Sequence, residues 1–400
     1  MSATYSLGRK LNYAMRCLPG YAWQRLTRRE SRGPVHLMLA IADHFEPAIQ
    51  PGSGANRAPY DIQEQRLEEW CRDYPKAVER WRDQEGRPLV HTHFYPAEQY
   101  DPSNRQDRAL LDRLAEFCHD GWGEAEIHLH HGLESPDTAD NTRGALLQFR
   151  QALEERGCLS YWNGRGTPRY AFVHGNFALA NSAAGQFCGV DEEMQVLSET
   201  GCFADFTLPT NVFNRAQTAK INSLYECEPP LNRRAAHAKG CDLRRGAAPD
   251  LFPLIVQGPW MLDLDRSARS GVGRIENGAL TDVNPPSVRR LQLWKEAAVV
   301  VRGRPDWIFV KLHCHGMDPT QREAVWGAAM QLFLRELVEG AAARQETLHF
   351  VSAREMVNIA LAACDGREGN PGEFRDYRLK LLRASERRQS ESSQRLVVRG

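Results

Sequence analysis

The stretch VHLMLAIADHFE, residues 35–46, decides the fold class. Its first eight residues form an almost wholly apolar run that stops abruptly at Asp43, the pattern of a buried strand. Similar short runs follow along the chain: LVHTHFYP (89–96), EIHLH (126–130), YAFVHG (170–175), ADFTLP (204–209), FPLIVQ (252–257), WIFVKLH (307–313) and TLHFVSA (347–353). Longer helical patterns alternate with them. The first, Ile62 to Gln84, places Leu67, Trp70, Tyr74, Val78 and Trp81 on one face. Others cover Gln106–Phe117, Asn141–Glu155, Pro286–Val301 and Arg322–Val338, with a last one from about Ala353 to before Gly366. Strands alternating with helices imply parallel βα units, and so an α/β domain built as a doubly wound sheet or a barrel.

Composition is that of one large globular domain: 42% hydrophobic and 26% charged residues over 400 positions. Lysines plus arginines equal aspartates plus glutamates at 51 each, so no basic excess points to nucleic acid. No GxGxxG follows the first strand and no GxxxxGK[ST] occurs, which removes the usual phosphate cradles. The ten cysteines include no CxxC pair and read as reduced thiols. No stretch reaches the length of a membrane span or has the core of a signal peptide, so the expected location is the cytoplasm. Residues 1–33 form a basic arm, with seven basic residues and one acid from Arg9 to Arg32. We expect it to pack against the body of the domain, the alternative being peripheral contact with an anionic inner-membrane surface. The domain proper is expected over 34–383, with an insertion at 211–250, and 384–400 as a disordered tail.

Polar residues collect where the strands end. The first strand closes on Asp43, His44 and Glu46, the third on His128, His130 and His131, the next on His174 and Asn176. A further strand carries Asp205, and WIFVKLH ends in His313 with His315 just beyond. Carboxyl ends of parallel strands open onto one face, where ligands bind. A mixed histidine and carboxylate site suits zinc, with nickel, cobalt or iron as other candidates. His130 is the first ligand, with His131 or Glu134 from the following loop, and His128 lies deeper on the same strand face. Asp43 is then the base that takes a proton from water, His313 the group that protonates the leaving atom, and His174 and Asn176 orient substrate.

These residues, in this order, resemble the polysaccharide deacetylase superfamily, the family 4 carbohydrate esterases and their relatives. LAIADH resembles the motif of two aspartates, with Asp43 as base and His44 where the metal-binding aspartate stands. EIHLHHGLES resembles the two-histidine motif, with His130 as the first histidine and Glu134 at the second position. GCFADF with Asp205 and FVKLH with His313 resemble two later motifs. DHFEP, HLHH, HGN and KLHCHG are similar to elements of deacetylase-like proteins linked to bacterial surface-polysaccharide synthesis. The resemblance implies a distorted (β/α)7 barrel and a divalent metal that helps remove acetyl groups from a carbohydrate. A second reading is a glycoside hydrolase or lyase on a related barrel, using Asp43 or Glu46 with Asp205 as its carboxylate pair. A third is a carbohydrate-binding subunit that has lost its metal. The oligomeric state is not legible.

Overall fold

A computed structural model of the chain describes residues 18–28, 33–51, 57–209, 220–264 and 274–382. The rest of the basic arm, residues 211–219 of the insertion and the tail at 384–400 lie outside the described residues. The strands are β1 (Val35–His44), β2 (His91–Pro96), β3 (Gly123–Leu129), β4 (Ser160–Trp162), β5 (Arg165–His174), β6 (Cys202–Asp205), β7 (Leu224–Glu226), β8 (Cys241–Asp242), β9 (Leu254–Val256), β10 (Met261–Asp263), β11 (Arg274–Glu276), β12 (Trp307–Cys314), β13 (Glu346–Phe350) and β14 (Leu379–Leu381). After a helical stretch over 18–27, here α1, the helices are α2 (Tyr60–Val78), α3 (Arg105–His119), α4 (Ala139–Glu155), α5 (Glu193–Thr200), α6 (Val288–Glu296), α7 (Arg322–Val325), α8 (Ala328–Gly340) and α9 (Ala353–Cys364).

Twelve strands form one mixed sheet whose main path runs β12-β1-β2-β3-β5-β6-β9-β7-β8. From β12 to β9 every pairing is parallel, and β13 also runs parallel to β1. β7 and β8 extend the far edge antiparallel. No ladder joins β12 to β9 among the described residues, so the strands are not closed into a hydrogen-bonded ring of seven. The sheet nevertheless curls back on itself. Lys311 on β12 donates from Nζ to the carbonyl of Phe206, just past β6 and far along the strand order, at 2.6 Å. The curl is completed by a short segment before α6: His313 N donates to Gly278 O at 3.0 Å, and Leu280 N to His313 O at 2.8 Å.

Strand alternation separates two cores. Met38, Ala40 and Ala42 of β1 face inward with Phe94, Ala171, Val173, Phe206 and Phe309. Leu37, Leu39 and Ile41 face outward, under Trp70, Tyr74, Leu110 and Leu114 of the surrounding helices. Helix starts follow the side chains that cap them. Asn104 accepts from the first-turn amides of α3, and Ser352 with Glu355 makes a reciprocal capping box on α9. The single helix expected over Arg322–Val338 is broken in two, because Trp326 leaves helical geometry (φ −153°, ψ 0°) and α8 restarts after it.

In the described part of the basic arm, Arg28 is bonded to the body of the domain. Arg28 donates to the carbonyls of Asn222, Ala297 and Ala298 at 2.6, 3.0 and 3.0 Å. Burial lowers its pKa to about 10. The nine described cysteines form no disulfide, and no described helix is long and apolar enough to cross a membrane.

Candidate metal centre

Alternation along β1 determines which of its terminal residues reaches the mouth of the curl. Ala42 and His44 point inward; Asp43 and Phe45 point outward, toward the helices. The chain then turns and brings Glu46 back over His44. On β3, His128 faces inward and donates from Nδ1 to Val173 O at 2.7 Å. A carbonyl can only accept, so the proton sits on Nδ1 and Nε2 presents a lone pair. That Nε2 has no hydrogen-bond partner and lies 3.4 Å from Glu46 Oε1. His130 Nε2 is 4.0 Å and His315 Nε2 3.8 Å from the same oxygen. The His44 ring completes the group, 4.9 Å from His128 and 4.7 Å from His315 between centroids.

The donors fit a metal ion. Bonds of about 2.0–2.2 Å to nitrogen and oxygen place neighbouring ligand atoms about 3–4 Å apart, the spacing found around Glu46 Oε1. His130 donates from Nδ1 to Glu98 Oε1 at 2.8 Å, and Glu98 also accepts from the His130 amide. A carboxylate behind an imidazole is how metal-ligating histidines are oriented. Most charge states agree. Burial would raise the Glu46 carboxyl, but His128, His130 and His315 outweigh it and bring it down to about 2. Burial, followed by the neighbouring imidazoles, lowers His44 well below the ordinary histidine range. Burial also lowers His128, whereas Glu98 and Glu46 raise His130 against burial, so an ion bound there would displace a proton from His130. The group is also reachable, since the side chains of His130 and His315 are 19% and 28% exposed.

Other expected site residues lie elsewhere. His131 and His174 turn away from this group into a second, fully enclosed cluster with Cys188 and Glu193. His174 is therefore not available to orient substrate, and His131 does not share an ion with His130. Glu134 is exposed on the loop and joins neither cluster. Asn176 is exposed in a left-handed turn (φ 52°) beyond β5.

Asp43 corrects the expected base. It is fully buried on the outward face, where Oδ2 accepts from His91 Nδ1 at 2.9 Å and Oδ1 from Gly316 N at 2.6 Å. The Trp70 and Tyr74 rings cover this pair, 5.2 and 4.9 Å from His91. His313 does face inward, with its ring centroid 6.3 Å from His44 and 6.0 Å from Phe177. Burial, then the charge of Lys311, holds its pKa well below the ordinary value. The imidazole therefore stays neutral and is a weak base, not the charged acid that protonating a leaving atom requires.

Asp205 is also fully buried, bonded to the hydroxyl and amide of Thr207 at 2.7 and 3.1 Å. Burial raises its pKa to about 7, against the pull of Thr207 and Lys311. With the folded pKa above the unfolded one, the folded chain keeps a proton that the unfolded chain has lost. Stability from this group is therefore complete below its unfolded pKa and lost as pH rises through about 7. Asp205→Asn is expected to flatten the decline in urea midpoint between about pH 5 and 7. An unchanged slope would remove Asp205 from the account.

Tyr95 and Trp260 are buried in the core. Phe177 is half-buried and lies 5.7 Å from the His44 ring. Glu98, Cys188 and Glu193 carried no signal in the sequence: Glu98 comes from a turn, Cys188 from a loop and Glu193 from the first residue of α5. His315 did carry one, two residues beyond His313 in KLHCHG.

Fold and site together define a curled, mostly parallel α/β domain with a histidine and carboxylate group at its open end. No family model matches the chain, and no curated protein matches it. Among solved structures it is similar to an alpha-mannosidase from Enterococcus faecalis V583, with 10% identity and a TM-score of 0.33 over 81% of this chain. The chain spans 29% of that enzyme's length. So loose a likeness assigns no activity.

Proposed function

We propose that this protein is a metal-dependent hydrolase acting on a carbohydrate, and that the bond it cleaves joins an acetyl group to a sugar nitrogen or oxygen. One observation carries the reading: three imidazole Nε2 atoms converge on Glu46 Oε1 at 3.4–4.0 Å, beside His44, at a solvent-reachable strand end. A divalent ion held there would make bound water more acidic and polarise a carbonyl oxygen. The chain's own residues do the rest. Val173 O and Glu98 fix the tautomers of His128 and His130, so both keep Nε2 free. Neutral His313 lines the inner wall beside His44 and Phe177. The Phe177 ring offers an apolar wall against which a sugar face can lie. The choice of an acetylated carbohydrate comes from the sequence resemblance.

The glycosidase alternative needs two carboxylates flanking the scissile bond. Asp43 is turned outward onto His91, and Asp205 is buried on the hydroxyl of Thr207, which does not favour either as the carboxylate partner of Glu46.

The test is acetate release from a panel of N- and O-acetylated saccharides by protein loaded with zinc, nickel or cobalt. Acetate released only with metal supports the reading. None across the panel from protein shown to hold metal at the mouth would sink it. The support behind His130 has its own expected result. Glu98→Ala should weaken metal binding about 10- to 100-fold, read by competition with a coloured chelator. Unaltered affinity would mean that Glu98 does not orient a ligand.

A further inference from the structure

We infer that His131, His174, Cys188 and Glu193 hold a second metal ion, a zinc in a closed structural site, separate from the ion proposed at the mouth. His131 Nε2 lies 2.9 Å from His174 Nε2 and 3.1 Å from Glu193 Oε1, and His174 Nε2 is 3.2 Å from that same oxygen. Cys188 Sγ is 3.7 Å from Glu193 Oε2. All four donor atoms lie within 4.8 Å of one another.

The tautomers make this convergence hard to explain without a cation. His174 Nδ1 faces Gly175 O at 2.5 Å, and a carbonyl has no hydrogen to give. His131 Nδ1 faces Asp137 Oδ2 at 2.9 Å, and Thr142 Oγ1 donates to that same oxygen at 3.0 Å. Both Nδ1 atoms therefore carry a proton, and the two Nε2 atoms, 2.9 Å apart beside a buried carboxylate, need a cation between them, a proton or a metal ion. Among the described residues the ion-pair partners of Glu193 are these two imidazoles alone. Cys188 is prepared in the same sense, because Val190 N donates to its Sγ at 3.5 Å. Carboxylate and carbonyl acceptors behind the imidazoles are the usual support of ligating histidines.

Burial settles the kind of site. His174, Cys188 and Glu193 are 0% exposed and His131 is 8% exposed. Four protein donors with no position open to water are the mark of structural zinc, whereas the mouth keeps two partly exposed imidazoles. The third group of potential ligands, Asp43, His91 and Cys314, needs no ion: Asp43 already accepts from His91 and Gly316.

The site also explains how residues 175–192 are held. That segment has little regular structure, and Asn176, Phe177, Ala180, Asn181, Ala184 and Phe187 all have positive φ. Such backbone persists only where its surroundings fix it. Cys188 and Glu193 would tie its far end to His131 and His174 at two strand ends. Glycine is required where the loops meet: a Cβ on Gly132 (φ +62°) would lie 2.2 Å from Cys188 O. The same segment carries Phe177 to the mouth, and His131 is the immediate neighbour of His130. The inference stands whether or not the mouth hydrolyses anything.

Cobalt distinguishes the two sites, because the mouth contains no thiol. Apoprotein reloaded with Co(II) should show a thiolate-to-cobalt charge-transfer band in the near ultraviolet. The band should persist in His130→Ala and Cys314→Ser and vanish in Cys188→Ser, which keeps its mouth metal. A band that survives Cys188→Ser, or no band in wild-type protein shown to hold two cobalt ions, would overturn the site. If Cys188→Ser does not fold, zinc-edge X-ray absorption of the Cys314→Ser protein decides. A sulfur neighbour at about 2.3 Å is expected, and a shell of nitrogen and oxygen alone would overturn the proposal.

Discussion

His130→Ala should release the ion from the mouth and lower hydrolysis by about a thousandfold, with little loss of stability. Polarisation of a carbonyl by a metal ion contributes several kcal/mol to transition-state stabilisation, and about 4 kcal/mol corresponds to three decades of rate. The position separates function from folding. His130 lies at the end of β3 with a side chain 19% exposed, whereas His128 is fully buried and its removal would leave a cavity. In His130→Ala the Glu98 carboxylate loses its imidazole but stays within reach of water, so no buried charge is stranded. Elemental analysis, acetate release and urea unfolding on the same preparation check the three parts together. Unchanged metal content with unchanged rate would show that the mouth is not the metal centre.

Arg290→Met should cost about 3–5 kcal/mol of stability, the largest structural loss we expect from one substitution. Arg290 and Glu276 are 1% and 0% exposed and meet through two bonds, Nε to Oε2 at 2.7 Å and Nη2 to Oε1 at 2.8 Å. Trp294 Nε1 and Gly278 N also donate to Glu276 Oε1, at 2.9 and 2.8 Å. Without the guanidinium the carboxylate is left charged in the interior. The pair anchors the segment that pairs with His313, so the inner wall of the mouth should loosen with it. Glu276→Leu combined with Arg290→Met should recover most of the loss, because no unpaired charge remains.

The pH dependence of this effect has a definite sign. Burial opposes ionisation of Glu276, but Arg290 and Trp294 outweigh it and lower its pKa. Its stabilisation is present above the unfolded carboxylate pKa and lost as pH falls through the folded value. In Arg290→Met the unpaired acid can protonate, so the deficit should shrink as pH falls toward the unfolded pKa. Urea midpoints at neutral and mildly acid pH measure it, and a deficit independent of pH would show that charge is not its source.

The order of strands and helices was legible in the sequence by itself, because it rests on local periods. VHLMLAIADHFE, LVHTHFYP and WIFVKLH became β1, β2 and β12 to within a few residues, and the first helical face became α2. The clustering of histidines at strand ends was legible too, since parallel strands open on one face. The same period of two, applied strictly, also separates Asp43 from His44, because neighbouring residues on a strand face opposite sides. Reading both as mouth residues overlooked that rule.

Only the tertiary structure decided the rest. His130 and His131 are neighbours in the chain, yet one faces Glu46 and the other Glu193. Their divergence depends on the turn after β3, where no period constrains the backbone. Glu98, Cys188 and Glu193 come from a turn, a loop and the first residue of α5, with Glu98 32 residues from His130 and Glu193 62 residues from His131, and nothing local in the sequence reports such a contact. The curl that brings Lys311 to Phe206 works the same way. It arises from the accumulated twist of many strands, which is not a property of any single stretch of sequence.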